Sequence, residues 1–372
     1  MIMKAKSFLN SWRFLRQYYF GNKPHLAYVS GWNGHQNLGD EALYAAMQQY
    51  FAPFSLVDYP KGCWSWSFRV LPEIKNAVLA GGTMIAGKRS NAIHTRQCFD
   101  LCRHTVVFGT GVNHPDFWRQ RLGAQEWDEA VVIWKHILGQ CPYIGVRGPD
   151  SLRILQDWGI QNAEVIGDPV LYFAMDQQAA SLDSAPRGGI GLNVAETKGR
   201  MYGDGDHYLQ AYIDLVRMLK QAGWDIYWYV LWPRDYPLTK YIAEQTQTTL
   251  HIHSFYVNHT EFMHHVKQHV CVFAGMRLHG TALATLAYIP SISIAYQPKC
   301  YDYMKSISQE EAVVSTDTFE PGYVRELIES MHAKRSSVIQ TLYDTIHHLR
   351  QKQIDRANCI VREMMLSCEN KQ

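Results

Sequence analysis

The stretch that most constrains the fold is VCVFAGMRLHGTALATLAYIPSISIAYQPK, from Val270 to Lys299. Val270 to Ala274 is short and almost entirely apolar, which is typical of a strand buried on both faces of a parallel sheet. Thr281 to Ala287 is rich in small residues and predicts a helix, and Ser291 to Ala295 predicts the next strand. We therefore expect a strand, loop, helix and strand of an α/β domain here.

Arg277 and His279 lie where this strand ends and the helix begins. In open α/β sheets ligands bind at that end of the strands, and the free N–H groups of a helix start favour an anion. A guanidinium suits phosphate or carboxylate, and an imidazole carries protons near neutral pH. The pattern predicts a site that holds a small anion and moves a proton. The alternative is that Arg277 pairs with a carboxylate at the sheet end and His279 only caps the helix.

The length and composition of the chain exclude several classes of protein. A chain of 372 residues favours two domains, and 36 basic against 34 acidic residues argue against nucleic-acid binding. The eight cysteines form no CxxC motif, so we expect core residues in a reducing compartment. There is neither a signal-peptide pattern nor an apolar run near the roughly 20 residues of a spanning helix. We expect a cytoplasmic protein.

Residues 1–24 form a basic segment without a single acidic residue, in which aromatic and aliphatic residues are interleaved with Lys and Arg. A basic amphipathic helix of this kind lies on the inner face of an anionic membrane as a peripheral contact, or packs on its own protein. Both interpretations stay open from the sequence.

From His25 onward, short apolar strands alternate with helical stretches, which indicates βαβ units and mostly parallel sheets. We predict two Rossmann-like domains, over 25–175 and 188–316. A polar, proline-containing linker around 174–188 separates them, and helices over 317–372 close the structure.

Three loops at strand ends of the first half carry candidate site residues. The loop Gly31 to Asp40, GWNGHQNLGD, contains Asn37 and Asp40, and Asp40 either serves the site or caps the following helix. This loop has neither GxGxxG nor GxxxxGK[ST], so dinucleotide and P-loop binding are not supported. The two other loops supply glycines that would let a ligand approach the backbone. The candidate site residues in these two loops are Gly81, Gly82 and Thr83 in AGGTMIAG, and Gly109, Gly111 and His114 in GTGVNH.

Further candidates for the site lie outside these three loops. Arg147 precedes a helix start, and Asp168 either caps or orients a cationic partner. Lys198 and Arg200 lie on a glycine-rich loop that would act as a lid or as an ordinary connection. The aromatic stretch Tyr59 to Phe68 would stack on sugars, touch lipid or form a small satellite core.

Six histidines between 251 and 269 suggest a metal site, but the sequence has no HExxH motif there and no carboxylate that would complete the set of ligands. We predict no metal and no cofactor.

Taken together, these motifs resemble the polysaccharide pyruvyl transferase family, which is related in fold to the two-domain GT-B glycosyltransferases. The resemblance runs from about His25 to Lys299. It rests on GHQNLGDEAL, LAGGTMI, the GTG at 109–111, VRGPDS, GDPV and, above all, MRLHGTALATLAYIPSISIAYQPK. The chain departs from the family pattern at Gly148, because relatives commonly carry an acidic residue directly after the arginine that corresponds to Arg147.

The resemblance implies transfer of an enolpyruvyl-derived group from phosphoenolpyruvate to two hydroxyls of a sugar, forming a pyruvate ketal on a bacterial surface polysaccharide such as a capsule or exopolysaccharide. Arg277, with Arg147 from the other domain, would bind the donor's phosphate and carboxylate. His279 would be the general acid or base, either protonating the methylene carbon or relaying a hydroxyl proton. Lys299 and His114 would add anion contacts, and the other motif residues would line the substrate site.

Two other functions stay open. A GT-B glycosyltransferase using a nucleotide sugar would place Arg277 on the diphosphate. A non-catalytic binder of glycan or lipid carrier would keep the fold. The sequence leaves undetermined the acceptor sugar, its lipid linkage, the position of the ketal and the oligomeric state.

Overall fold

The computed structural model describes residues 25–30, 35–58, 74–176 and 188–369. The basic segment 1–24, the aromatic stretch Tyr59 to Phe68 and most of the predicted linker lie outside the described residues. Among the helices described, none is both long enough and apolar enough to cross a membrane.

Two compact units divide the chain. The first takes its residues from 1–32, 43–172 and 351–372, and the second from 33–42 and 173–350. The carboxyl-terminal helices predicted over 317–372 are therefore shared between the units, with the change at Arg350. The loop around Asn37 and Asp40 belongs to the second unit, although it precedes most of the first in sequence.

The first unit contains a parallel sheet of seven strands in the order β2-β1-β3-β5-β6-β7, with β4 paired to β5. Its strands are β1 (His25–Ser30), β2 (Phe54–Asp58), β3 (Asn76–Leu79), β4 (Thr83–Ile85), β5 (His104–Val112), β6 (Tyr143–Val146) and β7 (Ala163–Val165). The helices that begin in the first half of the chain are α1 (Leu38–Tyr50), α2 (Arg89–Phe99), α3 (Pro115–Leu122), α4 (Ala124–Gly139) and α5 (Pro149–Asp157).

The second unit contains a parallel sheet of six strands in the order β10-β9-β8-β11-β12-β13. Its strands are β8 (Gly189–Asn193), β9 (Asp225–Val230), β10 (Ile252–Ser254), β11 (Val272–Gly275), β12 (Ser291–Ala295) and β13 (Val313–Ser315). The remaining helices are α6 (Gly205–Gln221), α7 (Tyr236–Thr246), α8 (His259–His269), α9 (Leu278–Leu286), α10 (Pro298–Ser306), α11 (Pro321–Ala333) and α12 (Arg335–Glu369).

The central strands are apolar because helices cover both faces of each sheet. Every residue of β8, β11 and β12 is buried, which explains why their sequences show no alternation of polar and apolar residues. The predicted fold class, α/β with two parallel sheets and closing carboxyl-terminal helices, is confirmed.

The GTG segment is not the turn predicted from the sequence. Strand β5 continues through it to Val112, and its pairing with β6 shifts register between Phe108 and Thr110. Gly109 lies at this shift with φ +69°, a conformation that glycine adopts at little cost. The glycine therefore allows a bulge inside a buried strand rather than a loop after it.

Two helices begin three residues earlier than predicted. Helix α1 starts at Leu38 instead of Glu41, and α9 starts at Leu278 instead of Thr281. Asp40 therefore lies inside α1 and does not cap it, so of the two alternatives for this residue the plain N-cap is wrong. The side chain of Asn37 accepts the Gly39 N–H at 3.3 Å, and its carbonyl accepts the Glu41 N–H at 3.0 Å.

A cluster of histidine and tyrosine rings covers the β10 edge of the second sheet. The ring centroids of His265 and His253 are 4.1 Å apart, and those of His265 and His269 are 4.5 Å apart. The Tyr229 hydroxyl lies 3.0 Å from His265 Nδ1. Burial, with a smaller contribution from His253, His269 and His251, lowers the pKa of His265 to about 4.

The lowered pKa of His265 predicts a loss of stability in acid. Because the unfolded chain takes up this proton first, the free energy of unfolding should fall as the pH drops from about 6.5 to about 4. His265→Gln should flatten this part of the curve. Denaturant unfolding at several pH values measures it, with the exposed neighbour His264→Gln as control. Equal slopes in the wild type and His265→Gln would contradict the prediction.

Candidate functional site

The candidate site lies at the carboxyl ends of the strands of the second sheet. The strand order reverses between β8 and β11, and ligands of open α/β sheets bind at such a point. Asn193, the last residue of β8, is buried and donates to the Tyr229 carbonyl at 2.8 Å. Its Oδ1 accepts the Arg277 backbone N–H at 2.8 Å. Asn193 thus fixes the chain where it leaves β11 and enters α9.

The Arg277 guanidinium is held by Asp235, which follows β9. Nε donates to Oδ2 at 2.8 Å and Nη2 to Oδ1 at 2.5 Å, a bidentate geometry. The Glu196 backbone N–H also donates to Asp235 Oδ1, at 3.0 Å. Asp235 is fully buried and the Arg277 side chain is 13% exposed. The alternative considered from the sequence, pairing with a carboxylate at the sheet end, is what Arg277 does in this structure.

The surroundings of Arg277 keep it charged. Burial alone would lower its pKa, but the hydrogen bond to Asp235 and the nearby Tyr296 raise the pKa above its ordinary value. Its guanidinium carbon lies 4.9 Å from the centre of the Trp232 ring. Nη2 also reaches the Glu196 carbonyl at 3.3 Å. The planar group is therefore fixed in orientation, with part of its charge balanced by Asp235.

His279, in the first turn of α9, packs directly against Gly39 in the first turn of α1. A Cβ added to Gly39 would lie 2.1 Å from His279 Nδ1 and 2.4 Å from its Cβ, distances that no side chain tolerates. The glycine of the GHQNLGDEAL motif is therefore required by the imidazole. The helix start of α1 and the imidazole of α9 come together within the second unit.

Asp40, the residue after Gly39, lies in the electrostatic field of the same basic groups. Burial raises the pKa of Asp40 to about 6, although His279, Lys299 and Arg277 each act to lower it and Glu41 adds to the rise. Asp40 as a whole residue is partly exposed. A carboxyl group with such a pKa exchanges protons near neutral pH, which an ordinary exposed aspartate does not.

Lys299 completes this group at the start of α10. It is half-buried, and its Nζ lies 4.9 Å from the centre of the Tyr296 ring. The second unit thus brings together five of the residues predicted from the sequence. They are Asn37, Asp40, Arg277, His279 and Lys299.

The other predicted residues belong to the first unit, where Thr83, Gly111 and Asp168 lie around Arg147. This side chain is fully buried, donates from Nη2 to Thr83 Oγ1 at 3.0 Å, and has Nη1 3.9 Å from Asp168 Oδ2. A Cβ on Gly111 would lie 2.2 Å from Arg147 Nη2. A side chain at position 111 would overlap the guanidinium, which explains the glycine there. A role of Arg147 in donor binding stays a prediction.

Four further predicted residues belong to the same unit. A Cβ on Gly109 would lie 2.6 Å from Pro169, whereas one on Gly82 would meet no atom within 4 Å. Gly81 has φ +120°, so its glycine suits the backbone of the turn before β4. His114 precedes α3, and its Nδ1 lies 3.7 Å from Asp116.

Sequence reasoning missed two residues of the second unit, Asn193 and Asp235. Asn193 ends an apolar strand, where a polar residue is common, and Asp235 ends a 3₁₀ turn, Pro233–Asp235, that carries no glycine motif. The available signal was that Asn193 ends, and Asp235 follows, a predicted strand of the sheet that carries Arg277. Within the described ranges, no three His, Cys, Asp or Glu side chains are arranged to hold a metal ion.

Replacing Gly39 by alanine should displace His279. The added methyl group would overlap the imidazole, and such overpacking typically costs about 1–3 kcal/mol. We expect a lower melting temperature and changed NMR chemical shifts of the His279 ring protons. Gly82→Ala is the control because its methyl group enters free space. Unchanged stability and unchanged chemical shifts of the His279 ring in Gly39→Ala would show that the close contact is absent.

Replacing Asp40 by asparagine should stabilise the fold. A carboxyl group whose pKa is raised from 3.8 to about 6 costs stability once the pH passes these values, and the full cost applies above pH 6. We expect a gain on the order of 1–3 kcal/mol at pH 7.5 that disappears near pH 4. Thermal unfolding at both pH values measures it. Asp225→Asn, the same substitution at an exposed position of the same unit, should not stabilise.

Solved structures share the fold of this chain at low sequence identity. An Os79 variant from O. sativa in complex with UDP is 10% identical, with a TM-score of 0.56, and the match covers 90% of this chain and 100% of that one. A ugt transferase from Siraitia grosvenorii in complex with UDP is 10% identical, with a TM-score of 0.55 and coverages of 92% and 99%. UDP-GlcNAc 2-epimerase from Neisseria meningitidis bound to UDP-GlcNAc is 10% identical, with a TM-score of 0.52 and coverages of 92% and 100%.

These similarities establish a GT-B-like fold and no activity. No curated protein sequence matches the chain significantly. The sequence model of the polysaccharide pyruvyl transferases matches residues 37–298, which begins at Asn37 and ends beside Lys299. The match includes Gly39, Asp40, Arg277 and His279 and covers more than half of the chain. This chain therefore belongs to the polysaccharide pyruvyl transferase family.

Proposed function

We propose that this protein transfers an enolpyruvyl-derived group from phosphoenolpyruvate to two hydroxyls of a sugar, forming a pyruvate ketal on a bacterial surface polysaccharide or its precursor. The observation that carries the proposal is the grouping of Asp40, His279, Lys299 and Arg277 at the carboxyl ends of one parallel sheet. The acceptor is a sugar, free or lipid-linked. Because phosphoenolpyruvate is a cytosolic metabolite, we place the reaction in the cytoplasm, with a peripheral contact at the inner membrane face as a further part of the proposal.

The donor carries a phosphate and a carboxylate on three carbons, so its site needs cations and N–H donors close together. Lys299 and the first N–H groups of α9 and α10 supply charge and hydrogen bonds to the two anionic groups. Arg277 contributes a guanidinium that Asp235 has already oriented, so little side-chain entropy is lost when the donor binds. Fixed positive groups also stabilise the departing phosphate.

His279, which acts on Asp40 together with Arg277 and Lys299, is the group that transfers protons in this proposal. Its ring is held by Gly39, which limits the orientations the imidazole can take. The attacking hydroxyl must lose a proton, and a neutral imidazole accepts it. We propose that no metal or cofactor takes part and that phosphoenolpyruvate is the donor substrate.

The proposal is tested with purified full-length protein, phosphoenolpyruvate and p-nitrophenyl hexosides that carry free 4- and 6-hydroxyls. Phosphate release together with a product heavier by one ketal-linked pyruvate, measured by mass spectrometry, is the expected result. His279→Ala should lower turnover about 100-fold or more, since a general acid or base typically contributes that much. Arg277→Lys should weaken donor binding, because lysine cannot keep the bidentate contact with Asp235.

The matched control is His264→Gln, an exposed histidine of the same unit, which should keep full turnover. In cells, deletion of the gene should remove a pyruvate substituent from the surface glycan. Unchanged turnover in His279→Ala would contradict the proposed role of this residue. Release of UDP from UDP-sugars, with no reaction of phosphoenolpyruvate, would instead support the glycosyltransferase alternative.

A further inference from the structure

The proposed reaction adds a proton to the donor and removes protons from the sugar. The methylene carbon of phosphoenolpyruvate gains one proton and becomes a methyl group. Two sugar hydroxyls lose one proton each as they bond to the central carbon, and the bond from that carbon to the phosphate oxygen breaks. One proton thus ends on the methyl group and the other leaves with the phosphate. A single imidazole cannot start both as the donor to carbon and as the acceptor from a hydroxyl.

Asp40 is the second proton-exchanging group beside His279. Gly39 packs against the imidazole, so the next residue of the same helical turn is held close to it. The charges that act on the Asp40 carboxyl come from His279 on α9, Lys299 on α10, Arg277 before α9 and Glu41 on α1. These include the basic groups proposed to bind the donor.

The start of helix α1 does not require the Asp40 carboxyl group. Asn37 accepts the Gly39 N–H, and Glu41 Oε1 accepts the N–H groups of His35 and Gln36 at 3.0 and 3.2 Å. In the described part of the chain, the carboxyl of Asp40 accepts no backbone N–H. An acid in the first turn of a helix usually has a lowered pKa because of the helix dipole, yet here burial raises it to about 6. The carboxyl is therefore costly to the fold.

We infer that the Asp40 carboxyl group is the acid that protonates the methylene carbon of phosphoenolpyruvate, while His279 accepts the proton of the first attacking hydroxyl. This inference rests on the proposed function. Protonation leaves a cation at the central carbon, which the first sugar oxygen attacks. The bond to phosphate then breaks, its electron pair leaves with the phosphate oxygen, and the imidazolium gives its proton to the phosphate. The second hydroxyl closes the ketal and returns its proton to the Asp40 carboxylate.

The raised pKa fits this role. A pKa of about 6 leaves roughly a tenth of the carboxyl groups protonated at pH 7, against about a thousandth for an aspartate at its ordinary value. The arrival of the donor's negative charge favours the protonated form further, so binding should draw a proton from solution. Once the proton is given up, the carboxylate faces Lys299 and His279, which stabilise it.

Proton uptake on donor binding tests the inference without any acceptor. Titration calorimetry of phosphoenolpyruvate into the full-length protein at pH 7, in buffers of different ionisation enthalpy, counts the protons taken up. We expect Asp40→Asn to bind phosphoenolpyruvate within about threefold of the wild type but to take up about one proton fewer. Asp225→Asn, which neutralises an exposed acid of the same unit that does not act on Asp40, should match the wild type.

Turnover gives the second readout. With an accepted sugar in D₂O, the wild type should place one deuterium in the methyl group of the ketal. Asp40→Asn should lower turnover about 100-fold or more, and Asp40→Glu should restore part of it with a shifted pH profile. Equal proton uptake in the wild type and Asp40→Asn, or full turnover of Asp40→Asn, would overturn the inference and leave the proposed function standing. Failure of the wild type to bind phosphoenolpyruvate would instead overturn the proposed function, and the inference with it.

Discussion

The close approach of Gly39 to His279 is the contact on which the arrangement of the site depends. Without a side chain at Gly39, the first turn of α1 can lie against the imidazole of α9. This contact joins a loop near the beginning of the chain to an element about 240 positions later, within one compact unit. It also determines where Asp40 lies, because the two residues share one helical turn. A larger residue at position 39 would separate the carboxyl group from the basic groups that act on it.

The alternation of apolar strands and helices was sufficient to predict two parallel sheets. Strands such as β8 and β12 were recognised because full burial on both faces leaves an uninterrupted apolar run. The helix starts of α1 and α9 were placed too late, since their first turns carry glycine and polar residues that are also common in loops. Gly109 was assigned to a turn, because a bulge inside a strand has the same sequence signature as the end of a strand.

Part of the site could be found from the sequence and part could not. Arg277, His279 and Lys299 follow recognisable strands within one motif, so their chemistry and spacing were informative. Asn193 and Asp235 depend on contacts between distant segments, and no local pattern marks an aspartate that will receive a guanidinium. The pKa of Asp40 depends on burial and on charges at the starts of two other helices, α9 and α10, which no sequence spacing specifies. The buried Arg147 shows the converse, since its motif predicts ligand binding while its contacts in this structure are with Thr83 and Asp168.

The bidentate pairing of Arg277 with Asp235 has a consequence for the speed of a catalytic cycle. A site that binds a trivalent anion through several uncompensated cations would also retain inorganic phosphate after the reaction. Because Asp235 balances much of the Arg277 charge, the net positive field is weaker than the number of basic side chains suggests. Orientation is kept while electrostatic retention of the leaving group is reduced. Under the proposed chemistry, this pairing favours rapid departure of phosphate and a free site for the next donor molecule.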